Sequence, residues 1–287
     1  MQHIEFFDID HFENNYHRVK PPVSLSYFID FFWQTKFEAL WEEHPDGFSD
    51  ALFPNIGYTY LINLGTPFIM QVDETQTQMR TDGFLPRHKS IECFHQPGNV
   101  LFGIKFKISP VIYEKKVNFS EYRGSIYPLS YLMDKLVLDK VKNSNNFNDR
   151  VTILIDYFNS LLKEHDGSTK PIHVVSEILD ACNNSNDFSV SIEELAKKNN
   201  ISSRTLQRYF EITTSLSTKK TLQILRVRKA VSQIAKDPSG FNYKNYGYYD
   251  YSHFYKHLKQ FLQKETLAKL KPHLNLLGKL HKVKGAS

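Results

Sequence analysis

The chain has 287 residues, a length natural for two domains, and its 41% apolar and 23% charged residues exclude wholesale disorder. Two cysteines, Cys93 and Cys182, are too few for a disulfide scaffold, and their separation of 89 residues matches no metal-knuckle spacing. The net charge of +5 hides an asymmetry: residues 171–287 carry 19 Lys and Arg against nine Asp and Glu, whereas residues 1–170 carry 17 against 22. A basic half beside an acidic half points to one part that meets a polyanion and another that does something else.

The start, MQHIEFFDIDHFENN, is acidic and lacks the apolar core of a signal peptide. No uncharged apolar stretch approaches the ~18 residues of a membrane span, so a soluble, cytoplasmic protein of a reducing compartment is expected, without a membrane partner. The first ~140 residues read as β-rich. The runs 58–64 (YTYLINL), 68–72 (FIMQV) and 101–107 (LFGIKFK) are short and rich in aromatic and branched residues. The last alternates apolar and polar residues over Ile104 to Lys107, and Gly and Pro residues punctuate between the runs. Ser24 to Phe32 is the one stretch here expected to form a short helix. His88, Cys93 and His95 lie close in sequence, but packing on a strand explains them as well as ligation does, and neither metal nor cofactor is expected.

The period changes at Asp149. Val151, Leu154, Ile155, Phe158, Leu161 and Leu162 form one helical stripe, read as core or as a homodimer seam. The polar segment 164–170 (EHDGSTK) precedes Pro171 and marks a boundary, with Asn143 to Asn148 a looser candidate for the end of the β-rich part. Beyond it, Val174, Val175, Ile178, Leu179 and Cys182 share one face, which makes Cys182 a small buried apolar residue. Asn183 to Asp187 is expected to break that helix.

Ser191 with Glu194 three residues on is a capping box, so a helix starts there, with Ile192, Leu195 and Ala196 on its buried face. Asn199, Asn200 and Ile201 end it, Asn200 being able to turn left-handed. Ser202 or Ser203 then caps a second helix, Arg204 to Glu211, with Leu206 and Phe210 inward and Arg204, Thr205, Gln207 and Arg208 outward. A short helix, a tight turn and a second helix with Arg and Gln near its N-terminus is the geometry that enters a DNA major groove, where both side chains can bond base edges in bidentate fashion. A helical hairpin with a solvated charged face has the same spacing.

The run 201–210 (ISSRTLQRYF) resembles the first recognition helix of the AraC/XylS family of bacterial transcription regulators. Residues 222–230 (LQILRVRKA) resemble that family's central helix, and 246–261 (YGYYDYSHFYKHLKQF) its second helix-turn-helix. The resemblance implies that Gly247 makes the inter-helix turn and that Asp250 caps a helix whose Phe254, Leu258 and Phe261 face inward. His253 is structural or contacts the DNA backbone by the same likeness. The chain departs from the family pattern at Ser215 and Thr218, where Gly and Pro are usual, at Asn242 and Tyr243, where an Ile-Ala pair is usual, and at Gln263, Glu265 and Thr266. The first helix of the second motif is therefore its weakest element. More faintly, Pro22 to Trp33, the turn Phe53-Pro54-Asn55-Ile56-Gly57 with Tyr60 to Asn63, and Phe102 to Phe106 resemble the family's sensor domains.

The expectation is thus an α+β protein of two domains. A β-rich, cupin-like barrel or sandwich spans 1–148, a connecting helix and linker 149–170, an all-α domain of two helix-turn-helix motifs joined by a central helix 171–270, and a basic tail 271–287. Arg204, Thr205, Gln207, Arg208, Tyr251, Ser252, Tyr255 and Lys256 would read bases, and Lys219, Lys220, Arg226, Lys259 and Lys264 would touch phosphates. The chain would be a non-enzymatic, sequence-specific DNA-binding transcription regulator whose partners are double-stranded DNA and, by resemblance, RNA polymerase, with a small-molecule effector and a homodimer both open. Two other readings stand beside it: a cupin-like small-molecule enzyme or binding protein with a helical appendage, and a regulator acting through protein contacts.

Overall fold

A computed structural model describes residues 1–109, 126–185, 188 and 190–261. The N-terminal part begins with β1 (Gln2–Ile4), α1 (Ile9–Asn14), β2 (Tyr16–Val19), β3 (Ile29–Thr35), α2 (Glu38–Glu43), β4 (Phe48–Leu52) and β5 (Tyr58–Asn63). It continues with β6 (Phe68–Val72), β7 (Thr75–Met79), β8 (Gly83–Pro86), β9 (Ile91–His95), β10 (Leu101–Phe106) and β11 (Tyr127–Pro128). The strands form two sheets, in the orders β1-β4-β9-β6-β7 and β11-β8-β5-β10-β3-β2. Among the described residues every pairing is antiparallel except β1 with β4. The helices that follow are α3 (Lys135–Lys142), α4 (Phe147–Glu164), α5 (Lys170–Ser185), α6 (Ile192–Lys198), α7 (Ser203–Thr214), α8 (Thr218–Lys236) and α9 (Tyr251–Phe261).

The two sheets face each other across Trp33, Leu61, Met70, Leu85, Ile91 and Leu101. The six-stranded sheet is buried on its other face as well. There Tyr60, Ile62, Phe102, Ile104 and Phe106 join Leu154 and Phe158 of α4 and Val175 and Leu179 of α5 in one continuous core. Central strands covered on both faces lose the alternation of a half-exposed strand, and for this reason every residue of β5 and β10 is buried. The ring of Phe158 meets Phe28 and Phe106 at 5.7 Å each, and its full burial is worth about 1.5–3 kcal/mol. Half of the α4 stripe, Val151, Leu154 and Phe158, is therefore core of this chain.

The structure corrects four expectations. Ser24 to Phe32 is not a helix: a single 3-10 turn, Val23–Leu25, leads into β3, where Ile29 pairs with Phe106 of β10 and Phe32 is held between Ile104 of β10 and Val19 of β2. The first 140 residues also contain α1, α2 and part of α3, each short enough to leave no sustained period. Lys105 does not face solvent as alternation over 104–107 implied. It is 6% exposed, because the side of β10 opposite Ile104 faces the second sheet. The α5 helix itself runs to Ser185, slightly beyond the start of the expected break at Asn183.

Candidate nucleic-acid interface and inter-sheet cavity

Local chemistry builds the α6–turn–α7 unit almost completely. Ser191 and Glu194 form the reciprocal capping box, with Glu194 N–H donating to Ser191 Oγ at 3.1 Å and Ser191 N–H to Glu194 Oε2 at 2.9 Å. Asn200 is left-handed, φ 52°, and the Ile201 amide returns to the Ala196 carbonyl at 3.1 Å. Ser202 caps α7 by accepting from Thr205 N–H at 3.1 Å. Leu206 and Phe210 are fully buried, and Leu195 and Ala196 lie in the same core.

On the opposite face Arg204 and Arg208 are exposed, so the first turns of α7 offer two guanidinium forks to a partner. Thr205 and Gln207 are only partly exposed. The Thr205 hydroxyl lies 2.9 Å from Ser202 Oγ, and Gln207 donates to Glu211 at 2.8 Å while accepting the Thr218 amide at 3.2 Å. Gln207 thus ties α7 to the first turn of α8. The helix ends at Ser215, left-handed with φ 57°, in the place where Gly would be least strained.

The residues expected at phosphates divide. Lys219, in the first turn of α8, and Lys259, on α9, are exposed. Lys220 Nζ lies 4.1 Å from the centre of the Phe261 ring, and Arg226 stacks 3.6 Å over Tyr248, with its Nε and Nη2 buried and unpartnered. Both cations have pKa values lowered by burial, and both pin α8 to the second motif. Lys264 and the tail 271–287 lie outside the described residues, as do Gln263, Glu265 and Thr266.

In the second motif a single 3-10 turn, Tyr243–Tyr246, stands where a first helix was expected. Asn242 caps it, donated to by Lys244 N–H at 3.0 Å, and Gly247 follows with φ 70°. Asp250 accepts from His253 N–H at 2.7 Å at the start of α9. Phe254, Leu258 and Phe261 are buried, Ser252 and Lys256 are exposed, and Tyr251 and Tyr255 are half-buried with rings 6.1 Å apart. His253 is exposed beside His257, at 4.5 Å between ring centres.

Between the two sheets lies a cavity of about 510 Å³. Trp33, Leu61, Met70, Leu85, Ile91 and Leu101 give it apolar walls, while Arg87, Lys105 and Arg228 bring positive charge to it. Gly103 leaves the space in which Trp33 lies, since a Cβ there would sit 2.6 Å from the indole. Cys93 and His95 point the same way from β9. Burial and the Asp50 carboxylate push the Cys93 thiol up, so it stays protonated. His95 meets Asn99 at 2.7 Å and Asp50 at 3.3 Å, His11 reaches the other Asp50 oxygen at 2.9 Å, and Tyr16 donates to Asp50. Burial opposes ionisation of Asp50, but the two histidines outweigh it and hold the carboxyl far below its usual range. Among the described residues no group of three or more His, Cys, Asp and Glu is disposed to hold a metal ion. Sequence reasoning missed Glu5, Arg87, Lys105 and Arg228. Only an inward-facing Lys105 carried a signal, and it was masked by burial of both faces of β10.

No family model and no curated protein matches the chain. Solved structures do. ToxT from Vibrio cholerae O395 is similar over 87% of this chain and 94% of its own, at 8% identity and a TM-score of 0.41. Unsaturated fatty acid-bound ToxT from V. cholerae strain SCE256 is similar over 76% and 88%, at 9% identity and 0.38. The AraC-like transcriptional activator CuxR is similar over 78% and 89%, at 10% identity and 0.28. The solved structures similar to a chain whose sequence resembles AraC/XylS regulators thus include an AraC-like activator.

Proposed function

We propose that the protein is a sequence-specific DNA-binding transcription regulator of AraC/XylS type, with a β-rich regulatory part over residues 1–148 and a DNA-reading part over 171–270. The observation that carries this is α7: capped at Ser202, anchored by buried Leu206 and Phe210, and exposing Arg204 and Arg208 at its N-terminal end. That is the end a helix-turn-helix presents to base edges. Arg204 and Arg208 read bases in the first groove segment, and Ser252 and Lys256 in the second, where Tyr251 and Tyr255 supply flanking contact. Thr205 and Gln207 position that face from within the chain. Lys219 and Lys259 hold phosphates, and Lys220 and Arg226 add charge near them while fixing α9.

The cavity between the sheets is the place for a small-molecule effector, and RNA polymerase and a second copy of the chain are the remaining partners of this reading. No described helix is long and apolar enough to cross a membrane. The test is enrichment of a random duplex pool by the full chain at ~150 mM salt, where specific sites should exceed nonspecific DNA by ~10³ or more. Two boxes about one helical turn apart support both motifs. One box assigns sequence reading to α7 alone. Weak binding that disappears as salt rises, with no enrichment, overturns the reading in favour of protein contacts.

A further inference from the structure

Two histidines stand one helical turn apart on α9 and take no part in its buried stripe. His253 is exposed and His257 half-buried, with 4.5 Å between their ring centres. The order His253-Phe254-Tyr255-Lys256-His257 puts both imidazoles on one flank of the helix, at the four-residue spacing that lets two of them close on a single metal ion. The pair is also held in place. Both rings pack at steep angles against Tyr248, at 5.4 Å for His253 and 5.5 Å for His257, and the Arg226 guanidinium stacks on that tyrosine at 3.6 Å. The first turn beneath them is fixed by Asp250, which accepts the His253 amide at 2.7 Å.

Structural histidines elsewhere in the chain have polar partners: His11 and His95 meet the Asp50 carboxylate at 2.9 and 3.3 Å. The α9 pair differs. Nδ1 of His257 is buried without a hydrogen-bond partner, and the described residues give neither ring a hydrogen bond. A buried ring nitrogen left in this way calls for a missing group. The charges nearby select its kind. Those facing His257 are Arg226, Lys220 and Lys256, all positive, so an ion is not drawn here by charge. Mg²⁺ and Ca²⁺, which need oxygen ligands, find none on the two rings. An ion held at this place gains its binding from the imidazole nitrogens, which suit Cu²⁺, Ni²⁺ and Zn²⁺.

We propose that His253 and His257 form a binding site for a transition-metal dication of the Cu²⁺, Ni²⁺ and Zn²⁺ class. The protein supplies two nitrogen ligands, and water fills the remaining positions. The bound ion ties two successive turns of α9 together, in the motif whose first helix is reduced to a single 3-10 turn. It also adds positive charge beside Ser252 and Lys256, and so strengthens the hold of α9 on a duplex. This last link rests on the reading of α9 as a DNA-contacting helix. The metal site itself does not.

The test titrates Zn²⁺, Cu²⁺ and Mg²⁺ into the metal-free full chain without DNA. Zn²⁺ should bind by calorimetry and raise the melting temperature, and Mg²⁺ should do neither. The first equivalent of Cu²⁺ should show, by electron paramagnetic resonance, coupling to two imidazole nitrogens. The chain has 12 histidines, so variants must locate the ion. His253→Ala, at an exposed position that the fold does not need, should weaken Zn²⁺ binding about a hundredfold, because the second imidazole coordinates intramolecularly. His257→Gln should do the same, and each variant should reduce the Cu²⁺ signal to one nitrogen. No Zn²⁺ binding, equal effects of Mg²⁺, or affinity unchanged in His253→Ala each overturns the proposal. Zn²⁺ should also tighten retention of an enriched duplex several-fold in the parent chain and not in His253→Ala. Two-nitrogen binding with retention unaltered by Zn²⁺ leaves the metal site standing and counts against the link to DNA.

Discussion

The phenol hydroxyl of Tyr58, the first residue of β5, is hydrogen-bonded to Ser215, the left-handed residue that ends α7, and lies 3.2 Å from the Thr214 carbonyl. Beside it the Ser109 amide donates to the Thr213 carbonyl at 2.7 Å. The C-terminal end of the helix proposed to read DNA is therefore seated on the sheet that walls the cavity. Tyr58→Phe removes the hydroxyl from a fully buried site and leaves Ser215 Oγ without it, at a cost of about 1–3 kcal/mol. Thermal unfolding should show the loss, and hydrogen exchange should place it at residues 213–216.

Arg204→Ala with Arg208→Ala should abolish specific binding, each guanidinium contributing about 1–3 kcal/mol if it is bidentate to a base, while the melting temperature stays unchanged because both side chains are exposed. Gln207→Ala should behave differently. Its amide bridges Glu211 and the Thr218 amide, so stability falls along with affinity, by about 1 kcal/mol. Fluorescence titration of an enriched duplex beside a melt of the free protein separates the two. Lys219→Ala, at an exposed site, should weaken all sequences alike and lower the salt slope by about one.

Asp250→Ala removes both the side-chain cap of α9 and a negative charge at its N-terminus, for a loss of about 1 kcal/mol. The second box in the enriched sites should fade before the first. Retention of both boxes with unchanged stability would show that α9 is held by its buried Phe254, Leu258 and Phe261 alone.

Gly103→Ala places a methyl group against the Trp33 indole, where no room exists. The ring must move, and the space open to it is the cavity. A cost of about 1–3 kcal/mol is expected, together with weaker binding of whatever ligand the cavity takes. Trp33 fluorescence in a Trp41→Phe background reports the displacement directly.

His257 supplies a pH dependence. Burial, with the nearby His253 and the cations Arg226, Lys220 and Lys256, lowers its pKa to about 4. The unfolded chain, with an ordinary imidazole near 6.5, then binds the proton before the folded one does. Stability from this group is complete above about pH 6.5, is lost as the pH falls towards 4, and changes no further below it. Burial, with the nearby His11, lowers His3 too, so both act in the same direction. His257→Leu should flatten part of the slope between pH 7 and 4 in denaturant titrations, and an unchanged slope would assign it to His3 instead.

Much of this protein is decided within one helical turn of sequence. The capping box at Ser191 and Glu194, the cap at Ser202, the left-handed Asn200 and the buried pair Leu206 and Phe210 each depend on residues at most four apart, and all were legible without a structure. The weakness of the second motif was legible too, at Asn242 and Tyr243, and it emerges as a single 3-10 turn. What only the tertiary structure decided involves partners far apart or strands covered on both faces. Lys105 turns inward because β10 has no solvent side, Gln207 is spent on Thr218, and Arg226 on Tyr248. Glu5 finds Arg228 across 223 residues. No local pattern encodes such a pair, because the free energy that joins it comes from the burial of both ends in a cavity that exists only once the sheets have closed.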